Sequence, residues 1–151
     1  MGEKVIALNR KAFHDYHILD RWEAGLVLTG TEIKSIRLGR VNLSGAYAYA
    51  DKGELWLGGA HIALYEAGGI YNHDPIRSRK LLLHHKQIAE IVGQLSAKRL
   101  PMVPLKLYLK DGRAKVEIGL ARGKRLYDKR EAIKERDVER ELRRVVKEQK
   151  K

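Results

Sequence analysis

The amino-acid sequence predicts a mainly β protein with a short and a longer helix, folded as an OB-fold-like antiparallel β-barrel and followed by a basic C-terminal tail. Apolar and polar residues alternate over two long segments, 16–28 and 103–120, which is the pattern of half-buried strands. One strongly periodic helix separates these segments, and the alternation stops at Gly123. We therefore divide the chain into a barrel, residues 1–122, and a tail, residues 123–151, with a hinge at Gly123.

The N-terminal half is predicted to contain three strands. The first, 16–28, is long for a single strand, so Gly25 indicates a bend or bulge within it. Alternation resumes over 41–49, which predicts a second strand. A turn at 51–53 leads into a third strand that begins at Leu55.

A short helix is predicted between the first two strands. Thr29 and Glu32 have the spacing of a capping box, in which the side chain of each residue bonds the backbone N–H of the other. Gly39 ends this helix. Residues 65–80 have no periodicity and are predicted to form a long loop. Loops longer than about 12 to 15 residues are usually functional or disordered.

The second half contains the clearest elements. Apolar residues recur at helical spacing between His84 and Arg99, and Pro101 stops this helix. Two strands follow, joined by Asp111-Gly112, a pair that favours a two-residue type I′ turn. The outward face of this hairpin carries the basic residues Lys106, Lys110, Arg113 and Lys115.

The order of these elements predicts the topology. If the short helix is set aside, three strands precede the long helix and two follow it, which is the order of an OB-type barrel, a fold that often binds oligonucleotides. A split α+β sheet has a similar order, so both architectures remain open at this point.

The composition indicates a polyanionic partner. The 151 residues carry a formal net charge of +12, which favours nucleic acid first and an anionic membrane surface second. The absence of cysteine excludes disulfides and thiolate metal sites. No apolar run approaches the roughly 20 residues of a membrane span, and the N-terminus lacks a secretory signal. We therefore expect a soluble, cytoplasmic protein that does not bind membranes.

The segment 121–130 joins the two parts of the chain and clusters cations around Tyr127. Cations bind phosphates and a flat ring stacks on a base, so an RNA-facing junction is one interpretation; a solvated basic linker is the other. Residues 124–151 contain 12 Lys or Arg and 7 Asp or Glu, an excess of +5 that leaves +7 on the barrel. Their apolar stripe is thin, so we expect the tail to be disordered when free and helical when docked.

Histidines and carboxylates raise the question of a metal site or an enzyme. The histidine pairs at 14 and 17 and at 84 and 85 lack a third ligand at suitable spacing. Asp15, Asp20 and Glu23 could form a nuclease cluster, but no phosphate-binding loop or nucleophile motif accompanies them. We therefore predict no metal, no cofactor and no catalytic residue. A metal-dependent ribonuclease is the alternative.

The turn 77–80 contains Arg77, Arg79 and Lys80 close to the predicted start of the long helix. A basic turn beside a helix N-terminus is a suitable phosphate site. A solvated charged loop explains the same residues equally well.

Five sequence blocks occur in order along nearly the whole chain. They are Asn9–Ala12, Glu23–Leu26, Gly30–Arg37, Asp74–Leu83 and Gly123–Arg130. Together they resemble the bacterial SsrA-binding protein family, also called small protein B. Because the blocks are numerous and ordered, the resemblance is specific and strongly favours RNA binding.

The resemblance implies an OB-like barrel and a non-enzymatic role in trans-translation. Members of the family bind the tRNA-like domain of transfer-messenger RNA. They bring the alanylated RNA, with elongation factor Tu, to stalled ribosomes, where their tail occupies the vacant mRNA path of the small subunit. By analogy, we expect this chain to have the same RNA and ribosome partners and to act as a monomer.

The resemblance, together with the basic turn 77–80, gives two sets of expected contact residues. The RNA-binding set is Asn9, Arg10, Lys11, Glu23, Arg77, Arg79, Lys80 and Leu82, and the ribosome-interacting tail set is Lys124, Arg125, Tyr127, Asp128, Lys129 and Arg130. The expected phosphate contacts are Arg10, Lys11, Arg79 and Lys80. Since a carboxylate repels phosphate, Glu23 is expected to accept from a base amino group and to confer specificity. The chain departs from many members at Tyr127, where they have a histidine that can become cationic.

An alternative function uses the same basic face without a dedicated RNA. Such a protein would be a general single-strand or ribosomal RNA-binding barrel. Competition between tRNA-like and unstructured RNA separates the two functions.

Overall fold

The computed structural model describes residues 3–124, which fold mainly into antiparallel strands. The strands are β1 Glu3–Leu8, β2 Tyr16–Leu26, β3 Val41–Asn42, β4 Tyr47–Asp51, β5 Glu54–Gly58, β6 His61–Ile62, β7 Arg79–Leu82, β8 Met102–Lys110 and β9 Arg113–Gly123. The helices are α1 Arg10–Asp15, α2 Gly30–Arg37 and α3 His85–Lys98, with a short 3₁₀ helix at Glu66–Tyr71.

Six of the strands close into a ring. The hydrogen-bonded order is β8-β4-β5-β7-β2-β9, and β9 returns to β8. The contact between β4 and β8 is the narrowest, with Ala48 opposite Met102 as its one paired position. Strand β1 adds to β8 beside the ring, and β3 pairs with β6 in a separate two-stranded sheet. The predicted class, an antiparallel barrel with a short and a longer helix, is confirmed.

The main core lies inside the ring and under the helices. It is built from the inward positions of the strands together with Ile36 of α2 and Ile91 of α3, both fully buried. Burial of such side chains is the dominant favourable contribution to folding. The two longer helices therefore cover the barrel and are part of its core.

A second, smaller core attaches α1 to the outside of the barrel. Ala12 of α1 packs with Val103, Leu105 and Ala121 of β8 and β9. Gly119 makes room for this packing, because a Cβ atom there would lie 2.9 Å from Leu105 Cδ1 and 3.0 Å from Ile18 Cγ2. The outer face of the sheet is thus covered at one end and open at the other.

The elements with local signals agree with the sequence predictions. Thr29 and Glu32 form the predicted capping box at the start of α2. Asp111 and Gly112 both have positive φ, 51° and 79°, as a type I′ turn requires. Helix α3 matches the predicted long helix, with His84 and Arg99 as its caps.

Several segments differ from the predictions. The predicted loop 65–80 contains the 3₁₀ helix and the first residues of β7, and β1 and α1 were not predicted. The predicted strand 41–49 is two separate strands, because the chain turns at Gly45, which has a φ of 77°. Alternation restarts after this turn, so that Ala46 and Ala48 are buried while Tyr47 is exposed.

Strand β2 is irregular near its start, where the register with β9 shifts between Ile18 and Asp20. Of the bend or bulge predicted at Gly25, the bulge is wrong, since that residue pairs in register with Lys115 and with Leu82. Gly123 is the last residue of β9 and pairs with Tyr16, and the Lys124 N–H donates to the Asp15 carbonyl at 3.0 Å. The predicted hinge at Gly123 is therefore the paired end of a strand. Among residues 3–124, no helix has the length and apolar character needed to cross a membrane.

Candidate RNA interface

The open part of the outer sheet face is formed by β2, β9 and β8. Glu23 lies opposite Glu117, and Gly25 lies opposite Lys115. Strand β8 lies on the other side of β9 and adds a third residue to each pair: Lys106 pairs with Glu117, and Tyr108 pairs with Lys115. Because alternate side chains of a strand point to the same face of the sheet, these residues lie together on its outer face.

Glu23 is held on this surface by a tyrosine. The Tyr108 hydroxyl donates a hydrogen bond to Glu23 Oε2, and Lys110 Nζ lies 3.6 Å from Oε1. The Tyr108 bond lowers the pKa of the Glu23 carboxyl below its ordinary value; partial burial opposes this and Lys110 and Lys115 assist it. An ionised carboxylate accepts hydrogen bonds and donates none. Glu23 can therefore accept from an amino group of a ligand.

Glu117, directly across from Glu23, has different partners. Arg21 donates to Glu117 Oε1 at 3.1 Å, and Lys106 Nζ lies 3.9 Å from Oε2. Its side chain is 21% exposed, compared with 41% for Glu23. Each glutamate thus has a partner near both of its oxygens, but Glu23 is the more exposed of the two and retains more accessible acceptor capacity.

A groove runs beside Glu23, between the sheet and the start of α3. Its lining includes Gly25, Leu82, Gln87 and Lys115. The floor is Gly25, where a Cβ atom would lie 3.3 Å from Leu82 Cβ and 3.8 Å from Lys115 Nζ. A side chain at this position would therefore crowd Leu82 and Lys115, two residues of the groove lining.

The hairpin between β8 and β9 supplies cations to the groove and to the depressions beside it. Lys110, Arg113 and Lys115 line the adjoining depressions together with Glu23. The sequence placed these cations on the outward face of the hairpin but did not connect them with Glu23. That connection requires the pairing of β2 with β9, which no local pattern reveals. The three cations are the site residues that sequence reasoning missed.

Asn9 lies in the interior, although it was expected to face RNA. Its exposure is 3%, and its side-chain amide donates to the carbonyls of Leu43 at 3.3 Å and Pro104 at 2.8 Å. Its Oδ1 accepts from the Ala12 N–H at 3.2 Å and caps α1. Asn9 therefore anchors the helix, and this expectation is corrected. Its neighbours Arg10 and Lys11, which are also expected RNA contacts, are exposed at the start of α1.

Arg79 was expected to contact phosphate but is fully buried. Its Nε donates to Glu32 Oε2 at 2.5 Å, and its other nitrogens donate to the carbonyls of Ala60, Asp74 and Pro75 at 2.8–3.2 Å. Every guanidinium nitrogen is thus used inside the protein. The expectation of a phosphate contact is corrected, because the side chain has no surface to offer.

Arg77 belongs to the same cluster. Its Nη2 donates to Glu32 Oε1 and its Nε donates to Oε2 at 3.1 Å, while a third of the side chain stays exposed. Burial opposes ionisation of Glu32, but the bonds from Arg77, the Thr29 N–H and Arg79 outweigh it, and the pKa of Glu32 lies below its ordinary value. Arg77 is therefore first a partner of Glu32, with limited surface for RNA.

Lys80 and Leu82 occupy the outward parity of β7. Leu82 is 50% exposed and borders the groove. Lys80 is partly exposed and its Nζ lies 2.9 Å from Glu54 Oε1. Both side chains lie at the surface, as expected from the sequence.

The expected tail residues mostly fall beyond the described part of the chain. Lys124 is its last residue, and Arg125, Tyr127, Asp128, Lys129 and Arg130 lie outside residues 3–124. Within residues 3–124, no group of three or more His, Cys, Asp or Glu side chains is arranged to hold a metal ion.

The protein comparisons give one consistent family. A family model described as SmpB protein matches residues 6–148. The chain belongs to the SmpB family. The resemblance carried by the five sequence blocks is thereby confirmed.

Similar proteins extend this result over nearly the full length. The chain is 56% identical to the SsrA-binding protein of Carboxydothermus hydrogenoformans over 140 residues, covering 93% of this chain and 94% of that one. It is 57% identical to the SsrA-binding protein of Limosilactobacillus fermentum over 147 residues, covering 97% and 94%. A solved chain from "tmRNA-SmpB: a journey to the center of the bacterial ribosome" superimposes with a TM-score of 0.68 at 48% identity, covering 84% of this chain and 93% of that one.

Proposed function

We propose that the protein binds the tRNA-like domain of transfer-messenger RNA and delivers it to stalled ribosomes, as a non-enzymatic component of trans-translation. The family membership, the names of the relatives and the likeness to a chain from a tmRNA–SmpB ribosome structure support this proposal. The structural observation that carries it is the surface around Glu23, where a groove lined by this ionised acceptor, the exposed Leu82 and Lys115 adjoins a depression lined by Lys110 and Arg113.

The chemistry of this groove suits a folded RNA. Lys110, Arg113 and Lys115 would bind phosphates and orient the RNA without reading its sequence. Glu23 would accept a hydrogen bond from a base amino group, and Leu82 would pack on a base or ribose. Attraction between the cations and the phosphates thus provides affinity, and the carboxylate provides selectivity.

Exposed cations elsewhere on the barrel extend the proposed contact. Arg10 and Lys11 at the start of α1 are exposed, and the partly exposed Lys80 on β7 would exchange its contact with Glu54 for one with a phosphate. We further propose that residues 124–151 occupy the vacant mRNA path, that elongation factor Tu joins the protein on the RNA, and that the protein acts as a cytoplasmic monomer. The excess positive charge of this segment, +5, supports contact with ribosomal RNA.

The experiment compares the affinity of the full chain for the tRNA-like domain and for an unstructured RNA of equal length. Glu23→Ala should weaken binding to the tRNA-like domain by about 1 to 3 kcal/mol. Binding to the unstructured RNA should hold or rise slightly, because a repulsive charge is removed. Glu117→Ala is the matched control from the same strand pair and should leave the preference unchanged.

Two other outcomes point to different functions. Equal affinity of the unaltered protein for both RNAs would favour a general RNA-binding barrel. Cleavage of RNA in the presence of magnesium would indicate a ribonuclease. An equal loss on both RNAs for Glu23→Ala would mean that Glu23 maintains the fold and does not read the RNA.

A further inference from the structure

Tyr108 has a more constrained environment than Glu23, to which it donates a hydrogen bond. It is 2% exposed, and its neighbours across the strands are Val5 of β1 and Lys115 of β9. Lys106 Nζ lies 5.0 Å from the centre of its ring, within the range of a cation–π contact. The ring is therefore fixed by packing, and its hydroxyl has a defined position under Glu23.

The direction of the hydrogen bond is also defined. Burial, together with the bond to Glu23, raises the pKa of the Tyr108 hydroxyl above its ordinary value. The phenol therefore keeps its proton at neutral pH and donates it to Glu23 Oε2. One oxygen of the carboxylate is held by a rigid donor within the sheet.

The second oxygen of Glu23 is less constrained. Lys110 Nζ lies 3.6 Å from Oε1, which is beyond normal hydrogen-bond distance. Lys110, Arg113 and Lys115 nevertheless line the same depression as Glu23, together with Asp111. A carboxylate freed from Tyr108 could turn toward these cations and form a direct hydrogen bond, as Glu117 does with Arg21, and would lose part of its capacity to accept from a ligand.

We propose that Tyr108 is a positioning residue of the RNA interface, which anchors one oxygen of Glu23 so that the other, which has only the longer contact with Lys110, can accept from an RNA amino group. This inference rests on the proposed function. It accounts for the different environments of two glutamates that face each other across one strand pair. It also gives the buried phenol of Tyr108 a role in RNA selectivity in addition to its role in packing.

The test is Tyr108→Phe, which keeps the ring and removes the donor. The preference of the full chain for the tRNA-like domain over unstructured RNA should fall about fivefold, the order of the net contribution of one hydrogen bond. The pKa of Glu23, followed by carbon NMR of its carboxyl, should rise toward its ordinary value. Tyr49→Phe is the matched control, because it removes a hydroxyl bonded to Ser78 outside the groove, and it should change neither quantity.

A double variant separates positioning from general support of the fold. In the Glu23→Ala background, Tyr108→Phe should cause no further loss of preference, because the residue it positions is gone. A further fivefold loss of preference in that background would overturn the inference. It would also be overturned if Tyr108→Phe alone left the preference unchanged while Glu23→Ala lowered it. If Glu23→Ala itself leaves the preference intact, the proposed interface fails and the inference fails with it.

Discussion

Arg79 donates a hydrogen bond to Glu32 at 2.5 Å, and both side chains are fully buried. The two residues lie 47 positions apart in the chain. Glu32 also caps α2 through the Thr29 N–H, and Arg79 also binds three carbonyls between residues 60 and 75. This ion pair therefore connects the short helix, strand β7 and the segment between β6 and β7.

Glu32→Gln should destabilise the fold strongly at neutral pH. Removing one partner of a buried ion pair leaves the other charge uncompensated, which typically costs about 3 to 5 kcal/mol. Urea unfolding of the full chain measures the change. Glu66→Gln, which breaks the exposed contact with Arg40, is the control and should change stability by no more than about 0.5 kcal/mol.

The effect of Glu32→Gln should depend on pH. The pKa of Glu32 in the folded protein lies below its ordinary value of 4.5, so the unfolded chain takes up a proton first as the pH falls. The stability contributed by the carboxylate is then complete above about 4.5 and is lost as the pH falls through the lower folded pKa. The difference in free energy of unfolding between the unaltered protein and Glu32→Gln should therefore narrow as the pH falls through that range. A difference that stays constant with pH would contradict this account.

Arg79 and Lys80 should respond differently to replacement, although they are adjacent. Lys80→Ala should reduce the slope of log affinity against log salt by about one, because one phosphate contact is lost. Arg79→Ala should lower stability, since it leaves Glu32 without its buried partner. Binding titrations at several salt concentrations and urea unfolding separate the two effects. An unchanged slope for Lys80→Ala would place that side chain away from the RNA.

Two strand glycines provide a paired test of the groove. Gly25→Val should fill the groove against Leu82 and Lys115 and weaken binding to the tRNA-like domain, at a cost in stability of about 1 to 3 kcal/mol. Gly119→Val should disturb the packing of α1 on Leu105 and Ile18 but leave the groove open. RNA affinity of the folded fraction should therefore fall only for the first variant. Equal affinities would show that the RNA does not use the groove.

Removal of residues 125–151 should separate RNA binding from ribosome rescue. The paired end of β9 and the Lys124 bond to Asp15 are retained, so the shortened protein should fold and keep most of its affinity for transfer-messenger RNA. Peptide tagging on stalled ribosomes in a reconstituted translation system should fail, because the mRNA path stays vacant. Joint replacement of Asp128, Lys129 and Arg130 by Ala should reproduce much of the defect. Normal tagging by the shortened protein would contradict a division of work between barrel and tail.

Local signals determined the elements that were predicted correctly. The capping box at Thr29 and Glu32 involves residues three positions apart, and the type I′ turn involves two adjacent residues with positive φ. The helix 85–98 follows from apolar spacing along one segment. In each case the stabilising contacts lie within a few residues, so the sequence is sufficient to indicate them.

Strand β7 shows where a local signal was present but not recognised. Arg79 shares its parity with the buried Leu81, and Lys80 shares its parity with the exposed Leu82. Assigning residues 79–82 to a strand would have directed Arg79 inward. Residues 79 and 80 were instead included in the predicted loop 65–80, which shows no periodicity, because a four-residue strand is too short for a clear alternation.

By itself, the sequence determined the barrel class, the positions of its clearest elements, the basic character of the chain and the family to which it belongs. The tertiary structure decided which polar residues are available at the surface. It buried Asn9 and Arg79, set Glu23 against Tyr108, and brought the cations of the β8–β9 hairpin to the groove. The burial of Asn9 and Arg79 and the contact of Glu23 with Tyr108 each depend on at least one partner between 34 and 95 positions away in the chain. A charged or amide side chain can be buried only where such distant partners satisfy it, and their positions are set by strand pairing across the whole barrel.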